Sequence, residues 1–275
     1  MKRMKLHVVS RYAFLLIISI VFIFPLYWMF TGSFKSQVSI WATPPEWFPN
    51  QLKLVNYEHI FSTTPAPLWV FNSVFTSLVT VVFVVIFSAM AGYAYAKKKF
   101  PGDKVLFIVV IATMMMPTQV TLVPLYIICR ELGLIDSYLG VILPAIAFPF
   151  GVFIVRQFAK SIPDEIIESA RIDGSGEIRM FVTIVLPLLL PALGALSIFA
   201  FMHTWNDYLW QLIILQSKEK LTLPLGISTI TYSENNVNYG YAMAGASLAA
   251  VPMIIFFLLL QRSFIKGITL GSVKG

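Results

Sequence analysis

The chain is 275 residues long, 58% hydrophobic, 15% aromatic and only 12% charged, where a soluble domain carries about 25% charged residues. So little charge cannot cover a water-facing surface of this size, and a lone cysteine excludes a disulfide scaffold, which leaves an integral membrane protein read as one domain, 1–275. The formal net charge of +7 suggests nucleic acid at first sight, but its distribution along the chain gives it another meaning.

Crossing roughly 30 Å of hydrocarbon takes about 20 mostly apolar residues. Six stretches without Asp, Glu, Lys or Arg follow one another, near 12–30, 68–96, 105–128, 137–155, 181–202 and 241–260. They are apolar on every face, unlike barrel strands, which alternate over about ten residues. The chain is therefore predicted to be an all-α integral membrane protein with six transmembrane helices. Lys2, Arg3, Lys5 and Arg11 precede the first run as in a signal peptide. That run is too long for an h-region and no small-x-small cleavage site follows it, so it reads as a retained span.

The loops set the orientation. Lys97, Lys98, Lys99 and Lys104 follow the second span, Arg156, Lys160, Arg171 and Arg179 the fourth, and Arg262, Lys266 and Lys274 the sixth. With the four N-terminal residues they make fifteen basic groups on one side, against Lys35, Lys53, Arg130, Lys218 and Lys220 on the other. The positive-inside rule then places both termini in the cytoplasm. The basic excess is a topology signal, and no nucleic-acid partner is expected. The long outer segments, 31–67 and 203–240, are rich in Pro, Trp, Tyr and Asn; short helices, partner contacts and solvated connectors are all open there.

The cytoplasmic loop between the fourth and fifth spans, about 158–180, stands apart. Ser161 followed by Asp164 reads as a capping-box-like helix start, with Pro163 in the first turn, where its missing N–H costs nothing. Asp164 and Glu165 suit the positive end of the helix dipole. Ile166, Ile167 and Ala170 make a narrow apolar stripe, Glu168 and Arg171 an i,i+3 pair, and Asp173-Gly174-Ser175-Gly176 a stop. Such a helix of about three turns is marginal alone in water, so its stripe needs the membrane surface, its own bundle or another protein. A helix lying on lipid carries a basic face. This one carries Asp164, Glu165, Glu168 and Asp173, and the sign of the charge favours a protein partner.

Glu168-Ser169-Ala170, three residues, Gly174, nine residues and Ile184-x-Leu186-Pro187 together resemble the signature of ABC-importer permeases, Glu-Ala-Ala-x3-Gly-x9-Ile-x-Leu-Pro. Ser169 is the one departure, small for small. The likeness runs over nearly the whole chain. Trp205-Asn206-Asp207-Tyr208, Leu221-Thr222-Leu223-Pro224 and the tail 267–275 look like the carbohydrate branch, and within it the smaller permease of the maltose type.

The resemblance implies a short coupling helix between the fourth and fifth spans, seated in a cleft of a cytoplasmic ATPase subunit. Glu168, Ser169 and Ala170 would face the ATPase, and Gly174 would allow a sharp turn and close approach. Ile184, Leu186 and Pro187 would seat the return into the fifth span. It further implies a permease subunit of an ATP-driven importer for a sugar or oligosaccharide, in a bacterial or archaeal cytoplasmic membrane. Its partners would be a second, non-identical permease, two ATPase subunits, an extracytoplasmic solute-binding protein touching the outer segment 208–240, and membrane lipid. The tail would lie near the ATPases. A related polar solute such as glycerol phosphate stays an alternative.

Read residue by residue, the chain has no phosphate-cradling Gly-x4-Gly-Lys-Ser/Thr run, so ATP hydrolysis belongs to a separate partner and no enzyme activity is expected. His7, His59 and His203 are scattered and do not cluster with Cys129 or carboxylates, so neither a metal nor a cofactor is expected; Cys129 reads as an apolar filler. An ion-coupled secondary transporter or channel subunit is the rival class, but it usually needs intramembrane ionisable relays that the six runs lack. A scaffold subunit would leave the docking helix without a purpose. Pro117, Pro124, Pro144, Pro149, Pro187, Pro191 and Pro252 interrupt the runs, as packing kinks or as gates. Gly194, Ala195, Ala242, Ala244, Gly245, Ala246, Ala249 and Ala250 suggest close helix contacts with the partner permease or the pathway. Trp205, Asn206, Asp207 and Tyr208 suit a sugar site and equally an interfacial aromatic belt.

Overall fold

The computed structural model describes the backbone of residues 2–233 and 236–272, and the side chains of 8–231 and 237–262. The side chains of Lys2, Arg3, Lys5, His7, Lys266 and the tail 267–275 lie outside those limits. In chain order the helices are α1 (Lys2–Gly32), α2 (Gln37–Ile40), α3 (Val55–Thr63), α4 (Ala66–Lys97), α5 (Asp103–Met114), α6 (Thr118–Glu131) and α7 (Tyr138–Ile146). They continue as α8 (Pro149–Ala159), α9 (Asp164–Ile172), α10 (Glu177–Met180), α11 (Leu186–Trp205), α12 (Leu209–Ile214), α13 (Leu223–Thr231) and α14 (Tyr239–Ser272). A two-residue antiparallel ladder, β1 (Tyr232–Ser233) with β2 (Asn236–Val237), joins α13 to α14.

Five helical stretches are long and apolar enough to cross a membrane: Val8–Gly32, Ala66–Lys97, Tyr138–Ala159, Glu177–Trp205 and Tyr239–Arg262. They match five of the six predicted runs. The third run departs from the expected single helix. It is two helices, α5 and α6, bent by 103° across the break at Met115–Pro117. Pro117 has no N–H to continue α5, and its ring pushes Met116 away from helical backbone. The N–H groups of Met115 and Met116 fold back onto Ala112 and Thr113 instead. Pro117 itself is extended, with ψ of 130°, and opens α6.

Two compact units share the chain: Met1–Pro67 with Leu223–Val251, and Leu68–Thr222 with Pro252–Gly275. In the first, the buried Asn56 amide donates to the carbonyls of Ser33 (2.8 Å) and Lys35 (2.9 Å), holding the exit of α1. A Cβ on Gly245 would stand 2.2 Å from Ile227, so at this position the small-residue face of α14 packs on α13 of its own chain.

In the second unit, buried side-chain amides complete carbonyls that water cannot reach. Asn72 on α4 donates to Glu219 (2.8 Å) and Leu221 (2.9 Å) and accepts from the Tyr138 hydroxyl (2.8 Å). Gln211 donates to Thr204 (2.8 Å) and accepts from the Thr222 hydroxyl. Trp69 and Trp210 add indole N–H bonds to Lys218 and Gly140. Removing one partner leaves the others buried and unsatisfied, which costs about 1–3 kcal/mol per group. Asn72→Ala is therefore expected to destabilise the detergent-solubilised chain by about 2–4 kcal/mol. Thermal unfolding checks this, and an unchanged midpoint would remove Asn72 from the account.

Candidate functional site

The segment between the fourth and fifth spans folds as a helix with two built ends. α9 starts at Asp164, one residue after Pro163, which occupies the cap position with ψ of 138°. The predicted capping box does not form: the Ser161 hydroxyl donates backwards to the Phe158 carbonyl (2.7 Å). Lys97, the last residue of α4, takes over that end. Its ammonium donates to the Ile162 carbonyl (2.5 Å) and to the Asp164 carboxylate (2.7 Å). The hydrogen bond from Lys97, and then its charge, hold the Asp164 carboxyl below the usual carboxylate range.

The other end is a Schellman stop. The Ser175 N–H reaches back to the Ala170 carbonyl and the Gly174 N–H to Arg171, both at 3.0 Å, with Gly174 at φ +77°. A Cβ on Gly174 would meet nothing within 4 Å in this chain, so the glycine is required by its backbone conformation. Arg171 does not pair with Glu168 as expected. It reaches forward to Glu177 (3.3 Å), where Lys98 also forms an ion pair.

One face of α9 turns inward and the other stays open. Ile167 and Ala170 are buried at 5% and 4% exposure, so part of the predicted apolar stripe is spent within the bundle. Ile166, Glu168 and Ser169 are exposed, and Ile172 is 87% exposed. Beyond the stop, α10 leads into a π-turn over Phe181–Val185 and then α11. Pro187 cannot donate a backbone bond, and the register slips by one residue there, so that the Leu186 N–H bonds to Phe181, five residues back. Ile184, Leu186 and Pro187 all lie in this slip or at the first turn of α11, with Ile184 and Leu186 half-buried.

The second candidate group sits where α11 ends. Trp205 is buried and stacks on Phe201, whose ring stacks on Phe256 at 4.1 Å. Asn206 is exposed, with its amide on the Met202 carbonyl. Asp207 accepts from the Trp210 N–H at the start of α12, and burial pushes its carboxyl up. Tyr208 is 41% exposed.

Asp136, which belongs to no sequence motif, ties the neighbouring outer turns together. It adopts φ +54° and accepts from the N–H groups of Gln216 (3.0 Å) and Ser217 (2.9 Å), the Ser217 hydroxyl and the Lys220 ammonium (2.9 Å). Burial pushes the Asp136 carboxyl up, but these donors outweigh it and hold it well below the usual range.

The sequence model of the family described as "Binding-protein-dependent transport system inner membrane component" matches residues 85–270, which contain α9, its anchors and the π-turn. The chain belongs to this family. Among curated relatives it is 39% identical over 265 residues to the arabinooligosaccharides transport system permease protein AraQ of Bacillus subtilis (strain 168), covering 95% of this chain and 94% of that one. It is 33% identical over 272 residues to the maltodextrin transport system permease protein MdxG of the same organism, covering 98% and 97%. A bacterial ABC transporter involved in the import of the acidic polysaccharide alginate has a chain of the same fold, with a TM-score of 0.79, 22% identity and coverage of 94% and 97%.

This member of the transport family uses Lys97, Lys98, Asp136 and Asn72 in ways sequence reasoning missed. The lysine run carried a signal only as charge at a span end, and Asp136 carried only its place in a short outer loop. A depressed folded pKa means that the Asp136 clamp stabilises fully above the unfolded value of about 3.9 and is lost only as pH falls from there through the lower folded value. Asp136→Asn is accordingly expected to lower stability by about 2 kcal/mol at pH 7. The gap to the unsubstituted chain should be constant above about pH 5, begin to narrow only below about pH 4, and close as pH falls through the depressed folded value; thermal unfolding of both proteins across pH 3–7 checks this, and a gap already closed at pH 4 would contradict it.

Proposed function

We propose that this chain is a translocation subunit of an ATP-driven importer for a sugar or oligosaccharide. It would work as one membrane domain with both termini in the cytoplasm, in a bacterial or archaeal cytoplasmic membrane. The observation that carries the reading is the outward face of α9, with Glu168, Ser169, Ile166 and Ile172 uncovered on a helix pinned at both ends. Its acidic edge and bare isoleucines suit a groove on a cytoplasmic ATPase subunit better than anionic lipid. The uneven distribution of Lys and Arg supports the orientation, and the transported solutes named for the two relatives support the sugar class.

The partners are two ATPase subunits, a second and different permease, an extracytoplasmic binding protein and the surrounding lipid. A pull on α9 has two routes into the bundle. One runs through the Lys97–Asp164 pair and the Arg171–Glu177–Lys98 relay into α4, and the other through Gly174 and the π-turn into α11. Ala170, together with Ile167, seats the helix on its own bundle, while Glu168 and Ser169 make the external contact. Ile184, Leu186 and Pro187 carry the motion into the fifth span. A helix held this way is a two-state element biased by whatever grips it. At the far end of α11, Asn206 and Tyr208 face the pathway, with Trp205 and Asp207 holding the turn that presents them.

In the assembled transporter, Gly174→Val and Glu168→Lys should each lower substrate uptake at least tenfold relative to ATP hydrolysis, with insertion and assembly retained. Normal uptake in both would sink the coupling role of α9. The chain purified alone should neither hydrolyse ATP nor transport, and hydrolysis by a homogeneous preparation would contradict the assignment.

A further inference from the structure

The segment that leaves the first span does not run straight into water. The Tyr27 hydroxyl donates to the Trp47 carbonyl (2.5 Å). The Trp47 ring lies 6.0 Å from Trp28 and 6.2 Å from Phe24, and Phe48 meets Tyr27 edge-on at 5.7 Å. Residues 24–28 lie about 6–12 Å below the helix end at Gly32, at 1.5 Å rise per residue. The span Val8–Gly32 has 25 residues, about 37 Å of helix against about 30 Å of hydrocarbon. By this geometry Trp47 and Phe48, 55% and 72% exposed, fall at the edge of the hydrocarbon layer. Trp and Tyr collect at this depth because one end of the ring is apolar and the other polar.

The same turn forms a cavity of about 180 Å³, whose walls include Lys35, Lys53, Ser36, Ser39, Asn50 and Glu46. Lys35 is only 3% exposed. Its ammonium donates to the Glu46 carbonyl and sits 4.5 Å over the Trp28 ring. Neither Lys35 nor Lys53 makes an ion pair with a described carboxylate. The Glu46 carboxylate instead takes the Asn50 amide (3.3 Å). Burial penalises this cation and the nearby Glu46 carboxylate offsets that only in part, and it lines the cavity beside a second lysine and two hydroxyls.

We propose that this cavity binds the phosphate of a phospholipid headgroup, held by Lys35 and Lys53, with the acyl chains lying along Trp47 and Phe48. Inorganic phosphate offers the same charge, but only a lipid uses both the cations and the exposed rings at this depth.

The full chain in dodecyl maltoside is titrated with dioleoylphosphatidylglycerol, with dioleoylglycerol, which has the same tails and no phosphate, and with inorganic phosphate. Phosphatidylglycerol should raise the unfolding midpoint saturably, by about 3–5 °C at tenfold over half-saturation. Dioleoylglycerol and inorganic phosphate should not. Lys53→Gln, at an exposed position, should at least halve the shift, and Lys35→Gln should abolish it. Should Lys35→Gln fail to fold, Lys53→Gln alone decides. An equal shift with inorganic phosphate would make this a soluble-anion site. An equal shift with dioleoylglycerol, or an undiminished shift in Lys53→Gln, would reduce it to bulk lipid solvation, and each of these results overturns the proposal. In nanodiscs, brominated lipid should quench the unsubstituted chain more than Trp47→Phe; equal quenching would remove Trp47 from the membrane.

Discussion

Inside hydrocarbon no water can complete a broken backbone hydrogen bond, and much of this architecture follows from that constraint. Each proline in a span removes one backbone donor, and at two of them the chain rearranges. At Pro187 the chain slips its register by one residue and makes a π-turn. At Pro117 it gives up the helix, closes α5 with short-range bonds and turns through 103°. Where connecting segments enter the bundle, side-chain amides replace water: Asn72 serves the Glu219 and Leu221 carbonyls, and Gln211 serves the end of α11. The outer turns are thus fastened to the spans by a few polar side chains, each with several partners.

The same requirement explains what could be read from the sequence. Apolar runs must be long and free of charge to cross at all, so five spans were legible to within a few residues. The break in the third was not, because a proline in an apolar run reports a missing donor without saying how the neighbours respond. Pro124, Pro144, Pro191 and Pro252 remain inside helices, whereas Pro117 opens one. In the cytoplasmic loop the helix and its glycine stop were legible, since both are local. Its fastenings were not: Lys97 and Asp164 are 67 residues apart, and Lys98 and Glu177 are 79. Neither the expected capping box nor the Glu168–Arg171 pair forms: the Ser161 hydroxyl donates to the Phe158 carbonyl behind it, and Arg171 reaches Glu177 six residues ahead.

Position 170 illustrates how a motif divides its labour. Within Glu168-Ser169-Ala170 the first two side chains are exposed and the third is buried. The alanine faces its own bundle, where a small side chain lets the helix sit close, and the polar pair faces away. A single short signature thereby contains both an attachment to the bundle and a surface for something outside it. This accounts for the serine at 169, which is on the open side and costs the packing nothing.

The π-turn has one more consequence. An extra residue in a helical turn advances everything beyond it by about 100° around the axis. The angular phase between the cytoplasmic loop and the fifth span is therefore set by residues 181–185, independently of the packing on either side. Leu189, Ala192, Leu193 and Leu196 point inward because of that offset. A chain one residue shorter here could keep every side chain of the loop and of α11 and still present the wrong side of the span to its bundle.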